Sequence, residues 1–242
     1  MALNEMMDRP VVKKELVAFM RDRLKRFPGE LGELEKTANE RGVPIIPHET
    51  AVFLNMLLGQ IKPEQILEIG AAIGFSGSLM AQHVGPAGHV TTIDRFEVMI
   101  NHAKANFEKL GIADKVTLLE GDAAEVLPTL EGPYDFIFMD SAKSKYYEFL
   151  PHCMRLLKKD GMLVIDDVFQ GGTILDDEAD VPKRVRKIHR RLNKLMDTVL
   201  DHPALETSLV PLGDGLLLIV KKEDFDFGYI LDEIKAENQK RA

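Results

Sequence analysis

Three aspartates stand at the ends of strongly apolar runs. Phe138-Met139-Asp140-Ser141-Ala142-Lys143 closes one run, and Val164-Ile165-Asp166-Asp167-Val168 closes the next. If these runs are neighbouring parallel strands, Asp140, Asp166 and Asp167 share one sheet edge. Three carboxylates there repel one another unless a cation lies between them. Oxygen-only ligands without His or Cys favour magnesium, manganese or calcium over zinc. The same acids could instead cap the loop or helix that follows each run. Lys143 lies three residues beyond Asp140 and would point to the same edge. A free lysine titrates at about 10.4 and is a poor base. Beside a bound cation its pKa should fall, which would make it a proton acceptor. It could equally pair with Asp140 or another acid.

A second constellation precedes these. Glu68-Ile69-Gly70-Ala71-Ala72-Ile73-Gly74-Phe75-Ser76 ends an apolar run and opens a helix. Small residues let the backbone approach a ligand there, and a helix start offers free N–H groups. A dinucleotide fingerprint needs G-x-G-x-x-G, but Ala72 takes the middle glycine position, and the acidic Glu68 would repel a diphosphate. Glu68 suits a ligand that carries an amino group beside a carboxylate, such as the methionine end of S-adenosylmethionine. Asp94 closes the next run, where a carboxylate can accept from both ribose hydroxyls, and Asp122 closes the third, near an adenine position. Either could be a helix N-cap when taken alone. Acids at successive carboxyl ends of parallel strands make a ligand edge the stronger reading.

The elements that must position these residues follow from the hydrophobic pattern. Apolar runs at Gln65–Gly70, His89–Asp94, Lys115–Gly121, Tyr134–Asp140 and Met162–Asp167 alternate with helical stretches, the rhythm of a doubly wound sheet. Two further runs, Thr207–Leu212 and Gly215–Lys221, are joined by a turn too short for a parallel crossover and must form an antiparallel hairpin. The expectation is an α/β fold with a seven-stranded, mostly parallel sheet and one antiparallel strand. Helices are expected at Val11–Arg26, Leu31–Gly42 and Glu49–Leu58 as an N-terminal layer. The division expected is one domain over 1–222, with a helical layer at 1–60, a core at 61–222, and a polar, weakly held extension at 223–242.

Composition narrows the class. The chain has 242 residues, 31 Lys and Arg against 39 Asp and Glu, a net charge of −8, and 45% hydrophobic residues, which excludes wholesale disorder. The lone Cys153 excludes an intrachain disulfide and a Cys-rich zinc site, and it suits a reducing compartment. No apolar stretch reaches membrane-spanning length and the N-terminus carries both charges, so the expectation is a soluble, cytoplasmic protein with no membrane partner. Against the acidic background, Pro182–Leu200 reads as a basic helix. It puts Val185, Ile188, Leu192, Leu195 and Val199 on one stripe, with Lys183, Arg184, Arg186, Lys187, Arg190, Arg191 and Lys194 largely elsewhere. Such a face is either ordinary solvated surface or a grip for phosphates.

Taken together, these segments, with Thr92-Ile93-Asp94, Gly121-Asp122-Ala123 and Pro211-Leu212-Gly213-Asp214-Gly215, resemble the metal-dependent, catechol- and caffeoyl-CoA-type O-methyltransferases that use S-adenosylmethionine. The resemblance covers about Pro44 to Lys221. It implies the class I methyltransferase, Rossmann-like fold. It also implies cofactor contacts from Glu68, Gly70, Ser76, Asp94, Asp122, Ala123 and Asp140, metal ligation by Asp140, Asp166 and Asp167, and Lys143 with Asp140 in the catalytic role. A homodimer built through the N-terminal helices is likewise implied; Arg9, Lys13, Lys14, Arg21, Arg23, Lys25 and Arg26 could extend a basic surface there or could equally be ordinary helix solvation. Relatives commonly carry Asn where this chain has Asp167, so the extra charge should tighten the cation and lower an acceptor hydroxyl's pKa less. From Phe169-Gln170-Gly171-Gly172 through the basic helix the chain is most similar to bacterial tRNA 5-hydroxyuridine methyltransferases. The acceptor implied is therefore a tRNA hydroxyuridine or a small catechol-like phenol. An NAD-dependent oxidoreductase is the distant alternative, and a binding protein without turnover is disfavoured by the intact acid and lysine set.

Overall fold

The structure, a computed structural model, describes residues 11–239. Arg9, expected on a basic surface, lies outside them. So does the end of the C-terminal extension, residues 240–242. The strands are β1 (Gln65–Ile69), β2 (His89–Asp94), β3 (Val116–Glu120), β4 (Tyr134–Met139), β5 (Leu157–Ile165), β6 (Leu205–Val210) and β7 (Leu216–Lys221). They form one seven-stranded sheet in the order β3-β2-β1-β4-β5-β7-β6. β7 runs antiparallel to both of its neighbours, so the expected mostly parallel sheet with one reversed strand is what forms.

Among the described residues the chain packs as two compact units, 12–126 and 127–239. In the first, β1 pairs with β2 and β2 with β3, both parallel, and the register sets Glu68 beside Thr92 and Asp94 beside Glu120. Helix α1 (Lys14–Arg23) buries no residue, whereas α2 (Gly29–Glu40) buries Leu31 and Ala38, and α3 (His48–Ile61) buries Ala51, Leu54 and Leu58. The apolar spacing expected for the N-terminal layer is therefore real, but α1 is shorter than Val11–Arg26 and its Leu16 and Phe19 stay exposed. α3 ends where Lys62 adopts a left-handed conformation (φ 51°), just ahead of Pro63, which cannot continue a helix. α4 (Phe75–Ala81) is buried along its whole length, and α5 (Glu97–Lys109) buries Ile100, Ala103 and Phe107. Gly74 enters α4 at φ 81°, and a Cβ there would meet the Phe107 ring at 2.7 Å, so a glycine is required.

In the second unit, β4 pairs in parallel with β5, whereas β7 pairs antiparallel with both β5 and β6. β5 differs from expectation. Its regular pairing with β4 covers Met162–Ile165, but a register shift lets the strand begin at Leu157, with Asp160 left-handed at φ 59°. It also stops two residues early: Asp167 turns out of the sheet at φ 59°. Helix α6 (Ala123–Val126) closes the first unit; α7 (Tyr146–Leu156) and α8 (Arg186–Val199) belong to the second. On α8 the expected stripe is the packed one, with Leu192, Leu195 and Val199 fully buried.

The C-terminal segment corrects an expectation. It is not weakly held: Phe227 is buried, and residues Tyr229–Gln239 form helix α9, which packs on α7 and buries Ile230 and Ile234. Its polar composition hid a narrow apolar stripe spaced four residues apart. Among the described residues no helix is long and apolar enough to cross a membrane.

Candidate active site

The glycine-rich turn is organised by two carboxylates. Glu68 is fully buried; its Oε1 accepts the Ser76 hydroxyl (2.5 Å) and its Oε2 accepts the Thr92 hydroxyl (2.5 Å). Asp94 accepts the Ala72 N–H on Oδ2 (2.8 Å) and the Phe96 N–H on Oδ1 (2.9 Å), so it clamps the turn to the end of β2. Ala72 is held at φ 45°, an uncommon conformation for alanine that the Asp94 bond stabilises. The Gly70 and Ala71 N–H groups both donate to the Ile93 carbonyl. A carboxylate has about four lone-pair positions, so Asp94 keeps acceptor capacity for a ligand's hydroxyls. Asp122 behaves as a cap: Oδ1 accepts the Ala124 N–H (2.9 Å), and Oδ2 pairs with Arg95 (2.7 Å). Ala123 begins the short helix that it caps. Sequence reasoning missed Thr92, and also Asn106, whose side chain donates to the Ile73 carbonyl (2.8 Å) and secures the far side of the turn.

The second constellation lies in the other unit, at the carboxyl ends of β4 and β5. Register pairs Met139 with Ile165, and the Asp166 N–H donates to the Met139 carbonyl (2.9 Å), so Asp140, Asp166 and Asp167 leave neighbouring strands together, as expected. Burial, then the Asp167 carboxylate, push the Asp140 carboxyl up to about 7, against the pull of Lys143. Burial and the charges of Asp140 and Asp167 likewise lift Asp166 well above the ordinary carboxylate range. These acids are short of positive charge. The donor set, hard oxygens around a charge deficit, fits a divalent cation in kind. Among the described residues, however, no three acid, His or Cys side chains form a closed cage. Asp167 is turned to Lys143 (Oδ2 to Nζ, 3.0 Å), and Asp166 Oδ1 accepts the Asp167 N–H (2.7 Å).

Lys143 opens a short 3₁₀ turn ahead of α7. Burial lowers its pKa, but Asp167 and Asp214 together raise it above the ordinary value. In this arrangement it is a firm cation. The fall expected beside a bound ion requires that Asp167 be withdrawn from it. Asp214 is a residue of this candidate site that sequence reasoning did not single out. Its Oδ2 accepts from Lys143 Nζ (3.2 Å) and its Oδ1 from the Gly171 N–H (2.6 Å), which ties the lysine to the Phe169–Gly172 loop. That loop is fastened again by the Phe169 N–H to the Asp214 carbonyl (2.9 Å). Gly215, at φ 91°, admits the Phe169 ring, which a Cβ would meet at 2.1 Å. The Gly213-Asp214-Gly215 spacing was the available signal, but it reads first as a hairpin turn.

The basic face of α8 is largely engaged. Arg190 pairs with Glu178 (2.5 Å), Arg191 with Glu237 (2.8 Å), and Lys194 with Glu237 (2.6 Å) and Glu233. Lys183, Arg184 and Lys187 remain exposed.

Known proteins resemble this chain over most of its length. Residues 29–222 match the O-methyltransferase family. A catechol O-methyltransferase of Mycobacterium tuberculosis is 34% identical over 161 residues, covering 65% of this chain and 70% of that protein. A Dictyostelium discoideum protein named as a probable caffeoyl-CoA O-methyltransferase is 30% identical over 205 residues, covering 83% and 87%. The SAH-bound structure of a Podospora anserina methyltransferase superposes with a TM-score of 0.76 at 25% identity, covering 91% of this chain and 97% of that one. A glycine-rich turn clamped by Glu68 and Asp94, a strand-end acid cluster, and these matches lead to one conclusion: the chain belongs to the O-methyltransferase family and is an S-adenosylmethionine-dependent O-methyltransferase.

Proposed function

We propose that the enzyme methylates a hydroxyl flanked by a second oxygen, in a reaction that depends on a divalent cation held by Asp140, Asp166 and Asp167. The observation that carries this reading is the charge deficit at the ends of β4 and β5, where burial and mutual repulsion lift Asp140 and Asp166. Magnesium, when bound, would supply the positive charge that favours the acceptor oxyanion. The chain's own residues do the rest. Glu68, Gly70, Ser76 and Asp94 shape the pocket for the methionine and ribose parts of the donor, with Asp122 and Ala123 toward the adenine. Asp140, at the end of β4, would be the first of the cation's ligands. Lys143 Nζ takes the hydroxyl proton once Asp167 has turned away from it, while Asp214 keeps the amine in place. The oxyanion then displaces the sulfonium in line, and the methyl carbon exchanges its bond to sulfur for one to oxygen.

Two acceptors present adjacent oxygens: a catechol-like phenol, and 5-hydroxyuridine in tRNA through its 5-OH and O4. The relatives named for catechol and caffeoyl-CoA support the first. The exposed Lys183 and Arg184 at the start of the basic run support the second. The apolar Leu16 and Phe19 exposed on α1 support a homodimer through the N-terminal helices. Nucleoside mass spectrometry of tRNA from a deletion strain, beside a catechol turnover assay, decides the acceptor. Loss of methoxyuridine assigns tRNA; unchanged methoxyuridine with catechol turnover assigns the phenol.

A further inference from the structure

Where α8 and α9 meet, the second unit holds a cleft of about 290 Å³ lined by Lys187, Arg190, Arg191, Lys194 and Glu237. Four of these five side chains are cationic. Arg191 is only 7% exposed, yet its Nη1 has no hydrogen-bond partner, whereas Nη2 donates to Glu237 Oε2 (2.8 Å). Lys194 Nζ donates to the other oxygen of the same carboxylate (2.6 Å). Glu237 thus sits as a two-oxygen anion gripped by two cations, and it leaves one buried guanidinium donor over. A phosphate group has the further oxygens to satisfy that donor and to reach Arg190 and Lys187.

α9 is anchored through Ile230 and Ile234 in its first half, while Glu237 lies in its last turn, where helices fray most easily. We propose that this cleft is a phosphate-binding site, and that Glu237 fills it from within the chain until a phosphate-bearing ligand displaces it. The site is argued from its own charges and geometry. Its bearing on the acceptor, in favour of a polyanionic RNA over a free phenol, rests on the O-methyltransferase reading above.

The test measures binding of inorganic phosphate by calorimetry and of a labelled single-stranded RNA by anisotropy, with intact protein and no methyl donor. Glu237→Gln should tighten phosphate binding by about tenfold, the scale of one charge-assisted contact. Glu206→Gln on the edge strand β6, an equal change in net charge, should leave it within about twofold. Lys187→Gln and Arg190→Gln should weaken it, and each should reduce the salt dependence of any RNA binding by about 0.7 in log–log slope. RNA binding with that slope change identifies a phosphodiester backbone as the ligand; phosphate binding without it identifies an isolated phosphate group. Equal effects of Glu237→Gln and Glu206→Gln, or wild-type phosphate binding by Lys187→Gln and Arg190→Gln, would overturn the proposal. Catechol turnover by all four variants should stay at the wild-type rate, so failure of this site is read apart from failure of the O-methylation reading.

Discussion

Lys143 and Asp214 are 71 positions apart in the chain and meet at 3.2 Å, Nζ to Oδ2. The other oxygen of Asp214 holds the Gly171 N–H at 2.6 Å, so one carboxylate fixes both the candidate base and the loop beside it. Asp214 also helps to keep the lysine pKa above its ordinary value. Asp214→Asn keeps the shape but removes that charge. The pH profile of kcat/KM should then show its ascending limb moved to lower pH, because a base with a lowered pKa loses its proton earlier. kcat should fall by about tenfold as positioning loosens. A limb that stays in place would separate Asp214 from the lysine's titration.

Asp167 carries the third negative charge and in this structure spends it on Lys143, at 3.0 Å. Asn at this position keeps an oxygen for a cation and frees the lysine of one ion pair. Asp167→Asn should therefore remain active while binding magnesium more weakly, which titration calorimetry reads directly. A well-folded but inactive Asn variant would contradict the ligand assignment.

Stability should record the charge deficit. Asp140 is pushed by burial and by Asp167 from an ordinary value of 3.8 to about 7 in the folded chain. Below pH 3.8 the carboxyl is protonated in both states and costs the fold nothing. As pH rises from there toward about 7 the unfolded chain releases the proton and the folded chain does not, so stability falls, and the loss is complete above that window. In EDTA the melting temperature should therefore drop between pH 5 and pH 8, and Asp140→Asn should flatten the drop. Magnesium should raise Tm more at pH 8 than at pH 5. A wild-type slope equal to that of the Asn variant would remove Asp140 from the account.

Much of this was legible in the sequence, and the part that was not has physical reasons. The strand ends at Asp94, Asp140 and Asp166 could be read because buried parallel strands are continuous apolar runs, and the acid that breaks each run marks the sheet edge. The Gly-Asp-Gly hairpin was visible as a turn. Nothing local could show that its aspartate reaches back to Lys143, since that contact exists only once β7 has paired with β5. The acidic α9 looked like a solvated tail because two apolar residues suffice to dock it when Lys194 and Arg191 supply the rest. For the same reason the basic face of α8 looked freer in the sequence than it is: its partners, Glu178, Glu233 and Glu237, come from outside the helix.

The central claim is that Asp140, Asp166 and Asp167 hold a divalent cation without which the hydroxyl is not methylated. Methyl transfer from labelled S-adenosylmethionine to a catechol and to hydroxyuridine-containing tRNA, measured after EDTA treatment and again after added magnesium, tests it most directly. The account predicts that transfer to the true acceptor is abolished by the chelator and restored by magnesium, and that Asp166→Ala cannot be restored. Full turnover in EDTA would contradict it.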